Sequence, residues 1–313
     1  MKEIVPILYR PFDQRVTVYN RHVAVHRRER VSRHMLKKNN VGISIPRSTE
    51  IKRGWEHVFC SNRVIQHHTV SLKEVNYLFP LWLEPEWPET RRLANVSREM
   101  AALTAESTGL AWTDVPSNKV SKAQVSHWHG CGDLEGNFGP RDLFDWIYAV
   151  LHSPSYRSRY ADFLKSDFAR VPLTPCLELF RALTRLGGEL IALHLLESPK
   201  LDTPLTAYTG PATAEVEKIS YASDTVWVDK AQTHGFRGVP DAVWNFHIGG
   251  YKVCEKWLKD RKGRTLSKDD IVHYQKVIVA LNETIRLMGE IDEAIKKHGG
   301  WPGAFQSAEN DPQ

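Results

Sequence analysis

The chain is poor in cysteine. Four stand far apart in 313 residues, at 60, 131, 176 and 254. None has C-x-x-C spacing, so neither a disulfide framework nor a zinc ribbon is built on them. A reduced, cytoplasmic setting fits that usage. No run of about 18 apolar residues occurs, and no charged start leads into a short apolar stretch. Those absences predict neither a membrane span nor secretion. Also missing are Gly-x-Gly-x-x-Gly, the Gly-x-x-x-x-Gly-Lys-Ser/Thr phosphate loop, His-Glu-x-x-His and Gly-x-Ser-x-Gly. Asp…Glu-x-Lys of a metal-dependent nuclease has no convincing strand context, and no catalytic residue is nominated.

What is present is ordinary globular material, 42% hydrophobic and 25% charged, enough for a sizeable core. Net charge is only +5, but it is unevenly placed. Residues 1–63 hold 14 Lys and Arg against 5 Asp and Glu, a net of +9, and the remainder carries −4. A second excess lies at Tyr251–Lys268, where seven Lys and Arg face Glu255 and Asp260. Phosphate backbones select for concentrated cations of this kind, and a solvated basic face is the alternative meaning.

Periodicity predicts an α+β protein. Ile4–Tyr19 reads as strand, turn at Pro11, strand. Val41–Ile45 and His57–Ser61 read as short strands around the loop Pro46–Gly54. Asn76–Leu83 reads as one buried apolar strand, and Glu89–Glu106 has helical character. Pro140–Ser153 is an amphipathic helix, with apolar residues at 143, 144, 146, 147, 150 and 151. Ser155–Lys165 is a short helix, and Cys176–Leu196 a helix interrupted by Gly187-Gly188. Val216–Tyr221 and Thr225–Val228 suggest a hairpin, Asp241–Phe246 a short helix, and Tyr251–Lys259 another. Asp269–Lys297 is a long amphipathic helix with Ser267 as N-cap. This divides the chain into a β-rich basic recognition part at 1–110, a loop or hinge at 111–139, a mostly helical part with a small hairpin at 140–298, and a flexible tail at 299–313.

Two blocks combine rings, turn residues and fixed cations: Tyr9-Arg-Pro-Phe-Asp-Gln-Arg15 and Ile248–Arg264 with its Gly249-Gly250-Tyr251. In the first, Arg10 and Arg15 flank a rigid turn, and Asp13 is placed to pair with either. Phosphate contact and an internal Arg–Asp pair both suit it. Arg47, Lys52, Arg53 and Arg63 lie on or beside loops, where Arg reads guanine edges and Lys positions phosphates. In the second block, Gly249-Gly250 permits close backbone approach or a tight helix start. With Trp257 in the core, Lys256, Lys259, Arg261, Lys262 and Arg264 project outward as a phosphate clamp, or dock on an acidic neighbour. Candidate DNA-binding residues are thus Arg10, Arg15, Arg47, Lys52, Arg53, Lys256, Lys259, Arg261, Lys262 and Arg264. His127-Trp-His-Gly-Cys131 gathers two imidazoles and a thiol but lacks a fourth ligand, so it reads as a polar loop and no metal site is nominated.

Several segments, in this order, resemble the C-terminal specificity region of type ISP restriction–modification enzymes and related fused adenine-specific DNA methyltransferases. They are Tyr9–Asp13, Asn40-Val-Gly-Ile with Arg47, His57–Ser61, Phe79–Leu83, Asp145–Arg157, Tyr160–Pro172, His194–Glu197, the Gly-Gly-Tyr block and Leu281–Asp292. The resemblance implies sequence-specific recognition of double-stranded DNA. It also implies methyltransferase, translocase and nuclease domains as partners, with S-adenosylmethionine held by the associated methyltransferase. An amino-methyltransferase needs a Gly-rich cofactor turn and Asn/Asp-Pro-Pro-Tyr/Phe, and neither occurs. No cofactor is therefore expected in this chain, and it should not act as an enzyme on its own. Two alternatives stay open: a methyltransferase subunit active only with a partner that supplies those motifs, and an inactive remnant.

Overall fold

The computed structural model describes residues 4–20, 22–23, 28–37, 39–50, 54–86, 88, 91–114, 130–211 and 214–306. Alternation around Pro11 gives the expected hairpin of β1 (Ile4–Arg10) and β2 (Asp13–Val18). Phe12 closes it at φ 60°. Left-handed backbone costs a non-glycine residue about 1–2 kcal/mol, and burying the Phe12 ring offsets it.

A short helix, α1 (Glu29–Ser32), precedes β3 (Gly42–Pro46), the centre of a three-stranded antiparallel sheet. β4 (Phe59–Ser61) lies on one side of β3. β5 (Val64–Ile65) leaves that sheet and pairs in parallel with β1. β6 (Asn76–Pro80) covers the other side of β3 and forms the sheet's edge. The single strand expected over Asn76–Leu83 is two, since β7 (Trp82–Leu83) turns away to pair with β8 (Leu93–Ala94). Nor is it wholly buried. Tyr77 and Phe79, two apart on one face, are 39% and 42% exposed.

The helix expected from Glu89 starts at Arg98: α2 (Arg98–Thr108) is capped by the Ser97 hydroxyl accepting from Met100 N. The segment read as a hinge opens and closes on a parallel pair, β9 (Ala111–Trp112) with β10 (Asn137–Phe138), and 115–129 lies outside the described residues.

α3 (Pro140–His152) buries all its residues but Ile147. Ser155–Lys165 forms two short helices, α4 (Pro154–Arg159) and α5 (Ala161–Ser166), instead of one. α6 (Leu177–His194) is continuous through Gly187-Gly188. The glycines serve packing: a Cβ on Gly187 would fall on the Asp145 carbonyl oxygen of α3. The expected hairpin forms one side of a larger sheet. β11 (Ala207–Thr209), β13 (Ser220–Ala222), β14 (Thr225–Trp227) and β15 (Gly235–Arg237) stand in the order β11-β15-β14-β13, and β12 (Ala214–Glu215) lies outside it.

α7 (Asp241–Trp244), the two-residue strands β16 (His247–Ile248) and β17 (Tyr251–Lys252), and α8 (Val253–Lys259) carry the Gly-Gly-Tyr block. β18 (Thr265–Leu266) pairs with β12 and leads into α9 (Lys268–Lys297), where Ser267 and Asp270 cap each other's backbone N–H. One apolar core runs from Leu8 and Phe12 through Trp146 and Phe180 to Ile295 and Ala304.

Candidate nucleic-acid interface

The two sequence blocks meet. Asp13, 1% exposed, accepts from Arg15 Nη2 at 3.0 Å and, through its other oxygen, from Arg261 Nη2 at 2.9 Å. Arg261 lies flat on the Trp257 ring at 3.4 Å. Its side chain is 13% exposed, so the expectation that it projects outward is corrected. Residues 257 and 261 are one helical turn apart, and the guanidinium folds back onto its own ring. Arg10 is not held by Asp13. Its Nη1 donates to Gln66 Oε1 at 2.7 Å and to the His68 carbonyl at 3.1 Å, beneath the rings of Tyr9 and Tyr251. The Tyr251 hydroxyl donates to the carbonyls of His68 and Ser71. Gly249, at φ +56°, brings its N–H to the Glu56 carbonyl at 2.7 Å, and a Cβ there would strike the Val70 carbonyl. Of the two roles open to Gly249-Gly250, close approach is therefore the one used at 249.

Several of the remaining nominated cations are paired with carboxylates. Arg47, at the end of β3, donates to Asp167 at 2.9 Å. That hydrogen bond holds the Asp167 carboxyl below its ordinary range. Lys256 meets Asp260 at 2.5 Å, and Lys259 meets Glu255 at 2.8 Å. Lys262 and Arg264 are exposed, on a loop fixed by backbone bonds from Gly263 N to Val216 O and from Val216 N to Arg264 O. Lys52 and Arg53 lie outside the described residues, as do His127 and His129. Cys131 is buried, and burial raises its thiol. Among the described residues no three His, Cys, Asp or Glu side chains gather as a metal site.

Several buried polar groups beneath the junction partner one another. Thr284 Oγ1 donates to the Ala280 carbonyl, so it accepts from His194 Nε2 at 2.9 Å. Nδ1 of His194 then accepts from the Tyr148 hydroxyl at 2.6 Å, and that oxygen takes the Cys60 N–H. Burial, with the Arg157 charge second, pushes His194 down to about 3. A neutral ring with both nitrogens engaged and no route to solvent is structural. Arg141 and Asp145 form a further enclosed pair at 2.6 Å within α3.

A surface that no nominated residue marked lies along β6. A cleft of about 380 Å³ opens between α1, the segment around Gln66 and His67, and β6. Arg28 and Arg30 stand exposed at its rim. Arg28 Nη2 donates to His67 Nδ1 at 3.4 Å. The ion pairs of this neighbourhood take Arg33 to Glu86, and Lys37 and Arg92 to Glu84. Among the described residues none takes Arg28 or Arg30. The signal available in the sequence was the basic run at 21–33, which names a region and not the side chains that stay unneutralised.

No described helix is long and apolar enough to cross a membrane. No curated protein matches the chain. Its fold is similar to that of a nuclease-deletion mutant of the type ISP restriction–modification enzyme LlaGI in complex with a DNA substrate mimic, at 18% identity and TM-score 0.61 over 92% of this chain and 20% of that one. It is similar to DrdV in a DNA complex, at 20% identity and TM-score 0.68 over 92% of this chain and 28% of that one. It is also similar to the ATP-dependent type ISP restriction–modification enzyme LlaBIII bound to DNA, at 14% identity and TM-score 0.61 over 92% of this chain and 18% of that one. The chain thus spans under a third of each. The family described as Type ISP C-terminal specificity domain matches residues 1–290, and the chain belongs to that family.

Proposed function

We propose that this chain recognises duplex DNA as the specificity part of a type ISP restriction–modification system in the cytoplasm. Methylation, translocation and cleavage belong to other domains of that system. The observation that carries this reading is the family match over residues 1–290, together with a fold shared along 92% of the chain with DNA-bound enzymes. The local excess of +9 in residues 1–63 supports it, because neutralised phosphates release counterions. S-adenosylmethionine belongs, in this reading, to the associated methyltransferase and not to this chain.

Fluorescence anisotropy with labelled duplexes across a salt series tests the proposal. The expected result is saturable binding that weakens steeply with salt and favours a site selected from a random pool. No binding at low salt overturns the recognition reading. Calorimetry with S-adenosylmethionine separates it from the methyltransferase-subunit alternative: micromolar binding by this chain alone favours the alternative.

A further inference from the structure

We infer that the cleft along β6 grips the sugar–phosphate backbone of the duplex through Arg28 and Arg30, resting on the recognition reading above. Charge comes first. Arg15, Arg47, Lys256, Lys259 and Arg261 each face a carboxylate at 3.0 Å or less. A phosphate approaching any of these must compete with a local anion. Arg28 and Arg30, although Glu29 lies between them in the sequence, form no ion pair with a carboxylate among the described residues, and the same holds for the exposed Lys262 and Arg264; unlike those two, they border a cleft. Arg28 is also held in place, since His67 accepts from its guanidinium without neutralising it.

Shape and polarity decide between backbone and base edges. Base reading needs donors and acceptors that are free at groove depth. Inside this cleft several of the amide atoms are already occupied. Gln66 Oε1 accepts from Arg10 and from His68 N. Asn76 Oδ1 accepts from Val70 N, and its amide donates to the Glu74 carbonyl. Asn95 Nδ2 donates to the Pro80 carbonyl. Leu78, Phe79 and Pro80 from β6 supply an apolar part of the lining. A partly apolar trough bordered by two exposed cations suits a ridge of sugars edged by phosphates. It offers little to distinguish one base from another.

The test compares the 313-residue chain with Arg28→Gln/Arg30→Gln and with Arg28→Lys/Arg30→Lys, on a selected duplex and on its scrambled counterpart. Each phosphate left without its cation lowers the slope of log affinity against log salt by about 0.9. With two phosphates so released, the fall in affinity between roughly 50 and 200 mM salt becomes about tenfold smaller. The glutamine variant should show that change equally on both duplexes, and the lysine variant should keep the parent slope. Circular dichroism confirms that each variant is folded. An unchanged slope in the glutamine variant, with the parent chain binding normally, overturns this inference and leaves the recognition reading standing. A loss confined to the selected duplex overturns the backbone assignment. Absence of binding by the parent chain overturns both.

Discussion

The junction of the two sequence blocks and the cleft along β6 are both rich in arginine, and they treat it in opposite ways. At the junction, Arg15 and Arg261 share one buried carboxylate, and Arg10 is enclosed by two rings and a carbonyl. At the cleft, Arg28 and Arg30 meet water and an imidazole. Arginine's planar fork serves both purposes. Held against carboxylate and aromatic faces it joins segments, and exposed without an ion pair it projects potential. Cation density in a sequence therefore locates neither role until the carboxylates are placed.

Removing the shared carboxylate breaks the contrast most severely. Asp13→Ala removes the common partner of Arg15 and Arg261, which keep, among the described carboxylates, only Asp260 and Asp270 at 3.8 Å, and should destabilise the fold by about 2–4 kcal/mol, read from urea unfolding. A loss below about 1 kcal/mol would mean that the junction is no more neutralised by Asp13 than the cleft is. Next comes Gly249→Ala, which adds positive-φ strain to a backbone clash with Val70. Together these should cost about 2–4 kcal/mol, and a neutral outcome in thermal unfolding contradicts the close approach.

His194 sharpens the comparison from below, because its ring lies against Phe12 of the junction. Folding lowers its proton affinity from the ordinary value of 6.5 to about 3. Its contribution is therefore complete above about pH 6.5 and fades as pH falls toward 3. The stability advantage of the parent chain over His194→Gln should shrink by about 2 kcal/mol between pH 7 and pH 5. Denaturant titrations at the two pH values give the difference directly, and a constant gap denies that the ring is held neutral. The smallest effects belong to the exposed cations. Lys262→Ala, Arg264→Ala, Arg28→Gln and Arg30→Gln should each change stability by less than about 0.5 kcal/mol in the same assay. A larger loss at Arg28 would place it with the junction arginines.

Much of the fold was legible from residue order. The β1–β2 hairpin, α3 and α9 follow from alternation, 3.6-residue periodicity and the Ser267 cap, all of them local signals. Gly187-Gly188 misled because a glycine pair reads as a helix break unless the crossing helix is known. Asn76–Leu83 misled because an unbroken apolar run carries no information about which rings an edge strand leaves exposed. For the candidate site, the two blocks were visible but their joining was not. Asp13 and Arg261 are 248 positions apart, and no spacing rule links residues so distant. The same limit hid Arg28 and Arg30, whose distinction is to border a cleft without an ion pair to a carboxylate among the described residues.

The shared carboxylate also orders events during synthesis. Once Asp13 and Arg15 are made, Asp13 has one of its two arginines, and the other lies 248 positions beyond Asp13. At about 5–20 residues per second that interval lasts some tens of seconds. Throughout it, the Phe12 turn has neither Arg261 nor the carbonyl partner it finds in His273. Of the described elements the hairpin is thus the first made and among the last completed. A nascent chain stalled before α8 should expose an unfinished edge to chaperones, and emergence of α9 should close it.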